Sequence, residues 1–353
     1  MKLIDNTDNS LYKIPMTFRF RVLLILLLLL ANALAFGQQT PPAKSADTVV
    51  KGGLALTVKA SDPFTFVAYG DLRKAPLTNT KSTDPVRTKA ILDSIAAAKP
   101  AFVEVGGDLV LQGDEEANWR AWEDDTSTIR HMKIPVFPAI GNHELMRDAS
   151  KGLEKYFHHF PFLKQNRYYS VRAANTITFV LDSALDEISG PQGDWLQQQF
   201  DALSPDIDFV FVLLHHPPYT RSGKALGGGH SARPREIALA HWLENRQQSL
   251  PAKIVVIAGH VHNYERYSYG GVTYVVSGGG GATPYVIPRE PDDAYQLPGP
   301  AYSYCLIKVL HGQMTLEMKR LDMVDGKAVW STGDSVTLTA DAAKRADQAT
   351  AAQ

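Results

Sequence analysis

Five times along this chain a run of β-forming residues stops at a short polar cluster. The clusters are Gly70-Asp71, Gly107-Asp108, Gly141-Asn142-His143-Glu144, Leu214-His215-His216-Pro217 and Gly259-His260-Val261-His262. Helical patterns lie between several of them. Strand, polar turn and helix in alternation restrict the chain to an α/β architecture. Ligands in such folds collect beyond the carboxyl ends of the strands. Loops far apart in sequence can therefore converge on one place.

The pattern predicts strands at 64–69, 101–105, 134–140, 208–214 and 253–258, each running into one of the clusters. Helical periodicity covers 84–99, ended by Pro100, and also 115–131, 192–203 and 235–245. Trp119 and Trp122 read as core. Segments 168–171 and 176–181 read as paired strands, 218–233 as a glycine-rich loop, and 273–277 as a strand entering Gly278–Gly281. From there to about residue 339 apolar and polar residues alternate as in antiparallel strands, with a turn at Asp325-Gly326.

The ends read differently. Arg19 and Arg21 precede an aliphatic run and Ala33-Leu34-Ala35, the layout of a secretory signal peptide over 1–36. Met16 would give such a signal a normal short lead. Residues 37–62 have a linker's composition, 63–339 form one catalytic domain, and 340–353 a polar tail. The expected location is secreted or periplasmic, with no stable membrane anchor. Net charge is −1 with neutral histidines, so nucleic acid is not an expected partner. Cys305 is the only cysteine; it excludes an intramolecular disulfide and reads as a buried strand residue.

Oxygen and imidazole side chains in this order suit a two-ion hydrolytic centre. Two ions ~3.5–4 Å apart can clamp the attacking and leaving oxygens of an in-line displacement, and holding them that close calls for a bridging carboxylate. Asp108 is the candidate bridge. Asp71 and His262 would hold the first ion, and Asn142, His215 and His260 the second. Gly70, Gly107, Gly141 and Gly259 permit tight turns and close backbone approach there. Taken singly, each cluster has a plain structural explanation: a turn, a helix cap, a packed loop entry. Their joint order carries the reading. Carboxylates and neutral imidazoles suit Fe, Zn or Mn, without choosing among them.

The series resembles the calcineurin-like metallophosphoesterase superfamily, and Tyr264-Glu265-Arg266 after the last motif makes it most similar to the purple acid phosphatase branch. The resemblance spans roughly 64–281. It implies a four-layer α/β/β/α sandwich with two central mixed β-sheets, and hydrolysis of phosphate esters by a metal-bound hydroxide. That branch often carries an N-terminal β-sandwich domain, for which this chain has no room. By the family pattern His143 binds no metal and is the candidate to protonate the leaving group or bind phosphate, with Glu144 orienting it. His230 could reach the phosphate or belong to the surface loop. Tyr264 and Arg266 read as supports, and His215 ranks above His216 as a ligand.

Two departures stand out. The superfamily's histidine two residues after the first aspartate is Arg73 here, and the branch's tyrosine three residues after the second is Leu111. The first ion thus loses its usual fourth ligand by both routes. A guanidinium stays protonated and cannot bind a cation, so Arg73 is expected to face away, pair with Asp71 or Glu104, or hold substrate phosphate. The expected function is a secreted metal-dependent phosphatase acting on small phosphomonoesters. The alternatives are a phosphodiesterase or nucleotidase on the same core, and a non-catalytic binding protein with a decayed site. Specificity is expected in loops 144–167, 218–234 and 278–300.

Overall fold

The structure is a computed structural model describing residues 53–76, 83–226, 228–297 and 299–351. The expected signal peptide, and the expected linker up to residue 52, lie outside the described residues. In chain order the elements are β1 (Leu54–Val58), β2 (Phe64–Tyr69), α1 (Pro85–Ala98), β3 (Val103–Val105), α2 (Glu116–Asp125), α3 (Ser127–His131), β4 (Val136–Pro138) and α4 (Ala149–His159). There follow β5 (Tyr169–Ala173), β6 (Thr176–Val180), α5 (Gly190–Asp201), β7 (Phe209–Leu214), α6 (Ser222–Leu226), α7 (Pro234–Ser249), β8 (Lys253–Ala258), β9 (Tyr264–Tyr269) and β10 (Val272–Ser277). The chain closes with β11 (Tyr302–Leu310), β12 (Gln313–Val324), β13 (Lys327–Thr339) and α8 (Ala342–Ala351).

The strands form two mixed sheets. One has seven strands in the order β1-β5-β6-β7-β8-β10-β9, the other six in the order β13-β12-β11-β2-β3-β4. Within them β2, β3 and β4 are mutually parallel, as are β6, β7 and β8. The period-2 alternation of β7 explains how both of its faces are buried. Phe209, Phe211 and Leu213 join the large core that also holds Phe66 and Ala68 of β2. Val210, Val212 and Leu214 join Leu196 and Phe200 of α5 and Leu239 and Leu243 of α7. Phe66 meets Phe211 edge-on at 5.1 Å between ring centroids, which marks the seam between the sheets. Burying one such side chain contributes about 1.5–3 kcal/mol. Helices cover the outer faces, α1 packing on β11 and α7 on β8 and β10. This is the α/β/β/α layering that the resemblance implied.

Several expectations change in detail. The helix expected over 115–131 is two helices, broken at Thr126, whose hydroxyl and N–H both bond to Trp122 O. Trp119 and Trp122 are buried, and His159 stacks on Trp119. The expected linker contains β1, which pairs parallel with β5 from Leu54 to Val58. The tail holds α8: Arg345 pairs with Asp208 at 2.7 Å, and Lys344 Nζ donates to Gln247 O. A helix, α4, occupies much of the loop expected over 144–167. One residue of β3 departs from its apolar neighbours. Glu104 is fully buried, and burial, which outweighs the opposing effect of Thr178, pushes it up to about 8.

Candidate metal centre

The carboxyl ends of the parallel strands in both sheets meet at one place. Asp71, Asp108 and Asn142 follow β2, β3 and β4 of the six-stranded sheet; His215, His260 and His262 follow β7 and β8 of the seven-stranded sheet. The turns after β2 and β3 stay zipped beyond the strands, with Asp71 N–H bonded to Gly107 O at 3.1 Å and Arg73 N–H to Asp108 O at 2.8 Å.

The expected glycine turns are only partly as foreseen. Left-handed backbone falls on the candidate ligands themselves: φ is 62° at Asp71, 54° at Asp108 and 69° at His260. For L-residues that conformation costs about 1–2 kcal/mol each, a strain that clusters at functional sites. Of the four glycines named for turns, Gly107 alone has positive φ. Gly141 and Gly259 serve close approach, whereas a Cβ on Gly70 would make only ordinary contact. A Cβ on Gly141 would lie 2.3 Å from Asp108 Oδ1, and one on Gly259 would lie 2.6 Å from Asp71 Oδ2.

Four donor atoms converge at the second position. His215 Nε2 is 2.9 Å from Asn142 Oδ1, 3.2 Å from His260 Nδ1 and 3.3 Å from Asp108 Oδ1; His260 Nδ1 is 3.0 Å from Asn142 Oδ1. Donors bound to one ion at ~2.0–2.2 Å lie about 3.0–3.4 Å from each other, so the set fits a cation. The other nitrogen of each histidine meets a backbone carbonyl: His215 Nδ1 to Gly106 O at 2.8 Å, His260 Nε2 to Gly229 O at 3.1 Å, His262 Nδ1 to Thr283 O at 3.1 Å. A proton donated to each carbonyl leaves the inward nitrogen with its lone pair, the arrangement that orients metal-binding imidazoles. Burial, followed by the charge of His215 on His260 and of Arg73 on His262, brings both imidazoles down to about 3. They are neutral, as ligands must be.

The first position is sparser. Asp71 Oδ1 is buried without a hydrogen-bond partner among the described residues and lies 3.7 Å from His262 Nε2. Burial, and then Asp108, pushes the Asp71 carboxyl well above its usual range. Asp71, Asp108 and His215 also form a group able to hold one ion, which places Asp108 between the two positions. Arg73 neither faces away nor pairs with an acid within 4 Å among the described residues; its Nη1 sits 3.5 Å from His262 Nε2. Guanidinium and ion would compete for that lone pair.

His143 points its Nε2 toward Asp108 Oδ2 at 3.8 Å, while its Nδ1 bonds to Leu111 O at 2.6 Å. Glu144 does not orient it. The Glu144 carboxylate instead accepts four backbone N–H groups, from Asp108, Leu109, Val110 and Gly141, at 2.7–3.3 Å. Burial and Asp108 push Glu144 up to about 8, yet a proton on it would face only donors, so the anion fits the surroundings better. His230 stacks on His260 with ring centroids 5.1 Å apart, at the rim of the site. His216 places Nδ1 2.8 Å from Ser183 Oγ and also groups with His215 and His260.

Sequence reasoning missed Tyr285, stacked on His262 at 4.4 Å and 14°. Its only sequence signal was a place in the 278–300 loop. Tyr264 and Arg266, read as supports, tie β9 to β13. Both bond to Asp334 of β13, while Glu265 between them binds Thr220 Oγ1 and Arg221 N–H of the loop before α6. Cys305 is buried and pushed up to about 12 by burial, in keeping with a structural thiol.

The converging strand ends of two sheets and this donor set define a metallophosphoesterase centre. A model of the calcineurin-like phosphoesterase family matches residues 64–264, more than half the chain, and the protein belongs to that family. Within it the likeness runs to purple acid phosphatases. Purple acid phosphatase 5 of Arabidopsis thaliana is 25% identical over 210 residues, 58% of this chain and 45% of that protein. A probable cyclic nucleotide phosphodiesterase of Fibrobacter succinogenes is 32% identical over 113 residues, 31% of this chain and 41% of that protein. The chain thus spans under half the length of these curated relatives. Among solved structures, purple acid phosphatase PPD1 from yellow lupin (Lupinus luteus) seeds superposes with a TM-score of 0.63 at 18% identity, covering 81% of this chain and 55% of that one. PhoD superposes at 0.60 and 14% identity, covering 82% and 72%.

Proposed function

We propose that this protein is a secreted metal-dependent phosphatase that hydrolyses small phosphomonoesters at a two-ion centre. The observation that carries the reading is the convergence of Asp108, Asn142, His215 and His260, with donor atoms 2.9–3.3 Å apart in the pairs given above. Asp71, Asp108 and His262 would hold the first ion, and Asp108, Asn142, His215 and His260 the second. Bound there, the ions would supply Lewis acidity toward a phosphoryl oxygen and a water made nucleophilic near neutral pH.

The chain's own groups do the rest. Arg73 offers a planar donor fork to the phosphate, and His230 offers a ring nitrogen at the rim. His143, its Nδ1 proton given to Leu111 O, keeps Nε2 on the site side to carry a proton to the leaving alkoxide. Burial holds the free His143 imidazole below its ordinary value, and the dianionic substrate adds the negative charge that favours the protonated form. Identity of the ions rests open among Fe, Zn and Mn. Export rests on the sequence of residues 1–36, and N-terminal sequencing of the exported protein tests it: a start near residues 35–37 supports cleavage.

One comparison favours a second reading, phosphodiester hydrolysis: the Fibrobacter succinogenes relative is named a probable cyclic nucleotide phosphodiesterase. Turnover of p-nitrophenyl phosphate against bis-p-nitrophenyl phosphate, before and after chelation and metal return, separates the two and also tests for a site without activity. Preference for the monoester, lost on chelation and abolished by Asp108→Ala, is expected. Full turnover by demonstrably metal-free protein refutes the metal-dependent reading.

A further inference from the structure

Beside the candidate ions, on the far side of Asn142, lies a cavity of about 230 Å³. Asn142 and His216 form its inner wall, and Ser183, Arg233 and Arg235 its outer wall, over an apolar floor that includes Leu145. Asn142 has its side-chain oxygen committed to His215 and His260, and the His216 ring lies 4.3 Å from that of His260. The cavity therefore opens one side chain away from where the scissile phosphate would sit.

Its outer wall carries two guanidinium groups close together. Arg233 Nη2 and Arg235 Nη2 both donate to the single carbonyl of Ser183, each at 2.6 Å. Two guanidinium groups on one oxygen repel each other. The carboxylate that compensates them is Glu236, fully buried, bonded to Arg233 Nε at 2.9 Å and 3.5 Å from Arg235 Nε. The neighbouring acids add little. Asp182 is taken by Arg167 at 2.6 Å. Glu187, buried and then opposed by Glu236, is pushed up to about 8 and keeps its proton at neutral pH. Among the described residues Glu236 is the one carboxylate within 4 Å of both guanidinium groups, while Asp182 and Asp186 act on Arg235 from farther away. Both side chains remain about one-third exposed, at 30% and 35%; Arg233 spends Nε and Nη2 on Glu236, whereas Arg235 bonds through Nη2 to Ser183 O and keeps the freer fork. A planar or tetrahedral oxyanion there would offset the repulsion and meet the Arg235 fork in bidentate geometry.

We propose that this cavity is a subsite for a second anionic group, so that the preferred substrate is a phosphomonoester whose alcohol portion itself bears a carboxylate or a phosphate. Arg235 and Arg233 receive that group while the scissile phosphate lies at the ion positions. The inference rests on the phosphomonoesterase reading above and adds the substrate class.

A matched three-carbon series tests it with the metal-loaded protein: glycerol 3-phosphate, 3-phosphoglycerate and glycerol 1,3-bisphosphate. The wild type should favour one or both of the doubly anionic compounds by about tenfold or more in kcat/KM, mainly through KM, as a charge-assisted contact worth over ~1.4 kcal/mol requires. The carboxylate and bisphosphate arms tell which oxyanion fits. In Arg235→Ala the preference should fall to near one, and in Arg235→Lys, which keeps the charge but loses the fork, it should be intermediate. Calorimetric binding of 3-phosphoglycerate against glycerol 3-phosphate supplies a readout that does not need turnover. If no phosphomonoester is hydrolysed, the catalytic reading fails, while the affinity ratio still decides the subsite. Equal kinetics and equal affinity across the series, or an equal loss for all three compounds in Arg235→Ala, would overturn the proposal.

Discussion

Replacing Glu144 by glutamine exchanges one carboxylate oxygen for an NH₂ group, at a place where all four neighbours are donors. Oε2 accepts from Gly141 N–H at 2.7 Å and Asp108 N–H at 2.9 Å, and Oε1 from Leu109 N–H at 2.8 Å and Val110 N–H at 3.3 Å. The amide would turn its nitrogen toward the weaker pair, at Leu109 and Val110. Two buried N–H groups then lose their acceptor, at about 1–3 kcal/mol each, so the fold should lose roughly 2–6 kcal/mol. The consequence reaches the ions, because the same carboxylate ties the turn bearing Asp108 to the turn bearing Asn142. A loosened support of this kind costs about 10–100-fold in metal affinity. Chemical denaturation gives the stability change, and competition with a calibrated chelator gives the affinity. Wild-type stability with wild-type metal affinity would show that the Asp108 and Asn142 turns hold their geometry without this carboxylate, and the bracing argument would fail.

Three further outcomes are expected. Glu104 has a folded-state value of about 8 against an ordinary 4.5, so the folded protein holds a proton that the unfolded chain releases; stability should fall by ~1.4 kcal/mol per pH unit between those values, on the order of 5 kcal/mol in all. Glu104→Gln should remove that slope, and identical pH profiles for the two proteins by denaturant titration would contradict it. His143→Ala should lower kcat by about 10²–10⁴-fold with bound metal nearly unchanged, and less so for substrates with good leaving groups; metal loss matching that of His215→Ala would make it a ligand instead. Arg73→Ala should raise KM for phosphomonoesters and weaken inhibition by phosphate, while Arg73→His should tighten the first ion in a metal titration; an unchanged KM and phosphate inhibition in a folded Arg73→Ala protein would make Arg73 structural.

The strand-end clusters were legible because each follows a buried run whose apolar pattern fixes where the strand stops. Asp71, Asp108, Asn142, His215, His260 and His262 lie at such ends, and the structure brings them together. What escaped notice has physical reasons. β1 is an edge strand with every second residue exposed, so its five residues looked like the linker around them. α8 is held by polar contacts from Lys344 and Arg345 to distant backbone and to Asp208, which leave no apolar stripe to read. Glu144 acts through four backbone N–H groups, three of them 34–36 residues away, and backbone acceptor geometry has no sequence signature. Arg233 and Arg235 resembled ordinary charged residues at the start of a helix until the fold placed them against Ser183 and Asn142.

The candidate ligands divide evenly between the two sheets, three side chains from each. Two ions bound there would act as a rivet across a seam closed elsewhere by dispersion contacts such as Phe66 on Phe211 and by polar ties such as Arg266 to Asp334. Shear of one sheet past the other would then break ligand bonds as well as apolar packing. Saturation at a hundred times the dissociation constant adds about 2.7 kcal/mol per ion to the folded state, and that gain is concentrated on the relative register of the sheets. Metal loading would set how stiffly the two halves of the molecule are joined, and each half would feel the other's mutations through the shared ions.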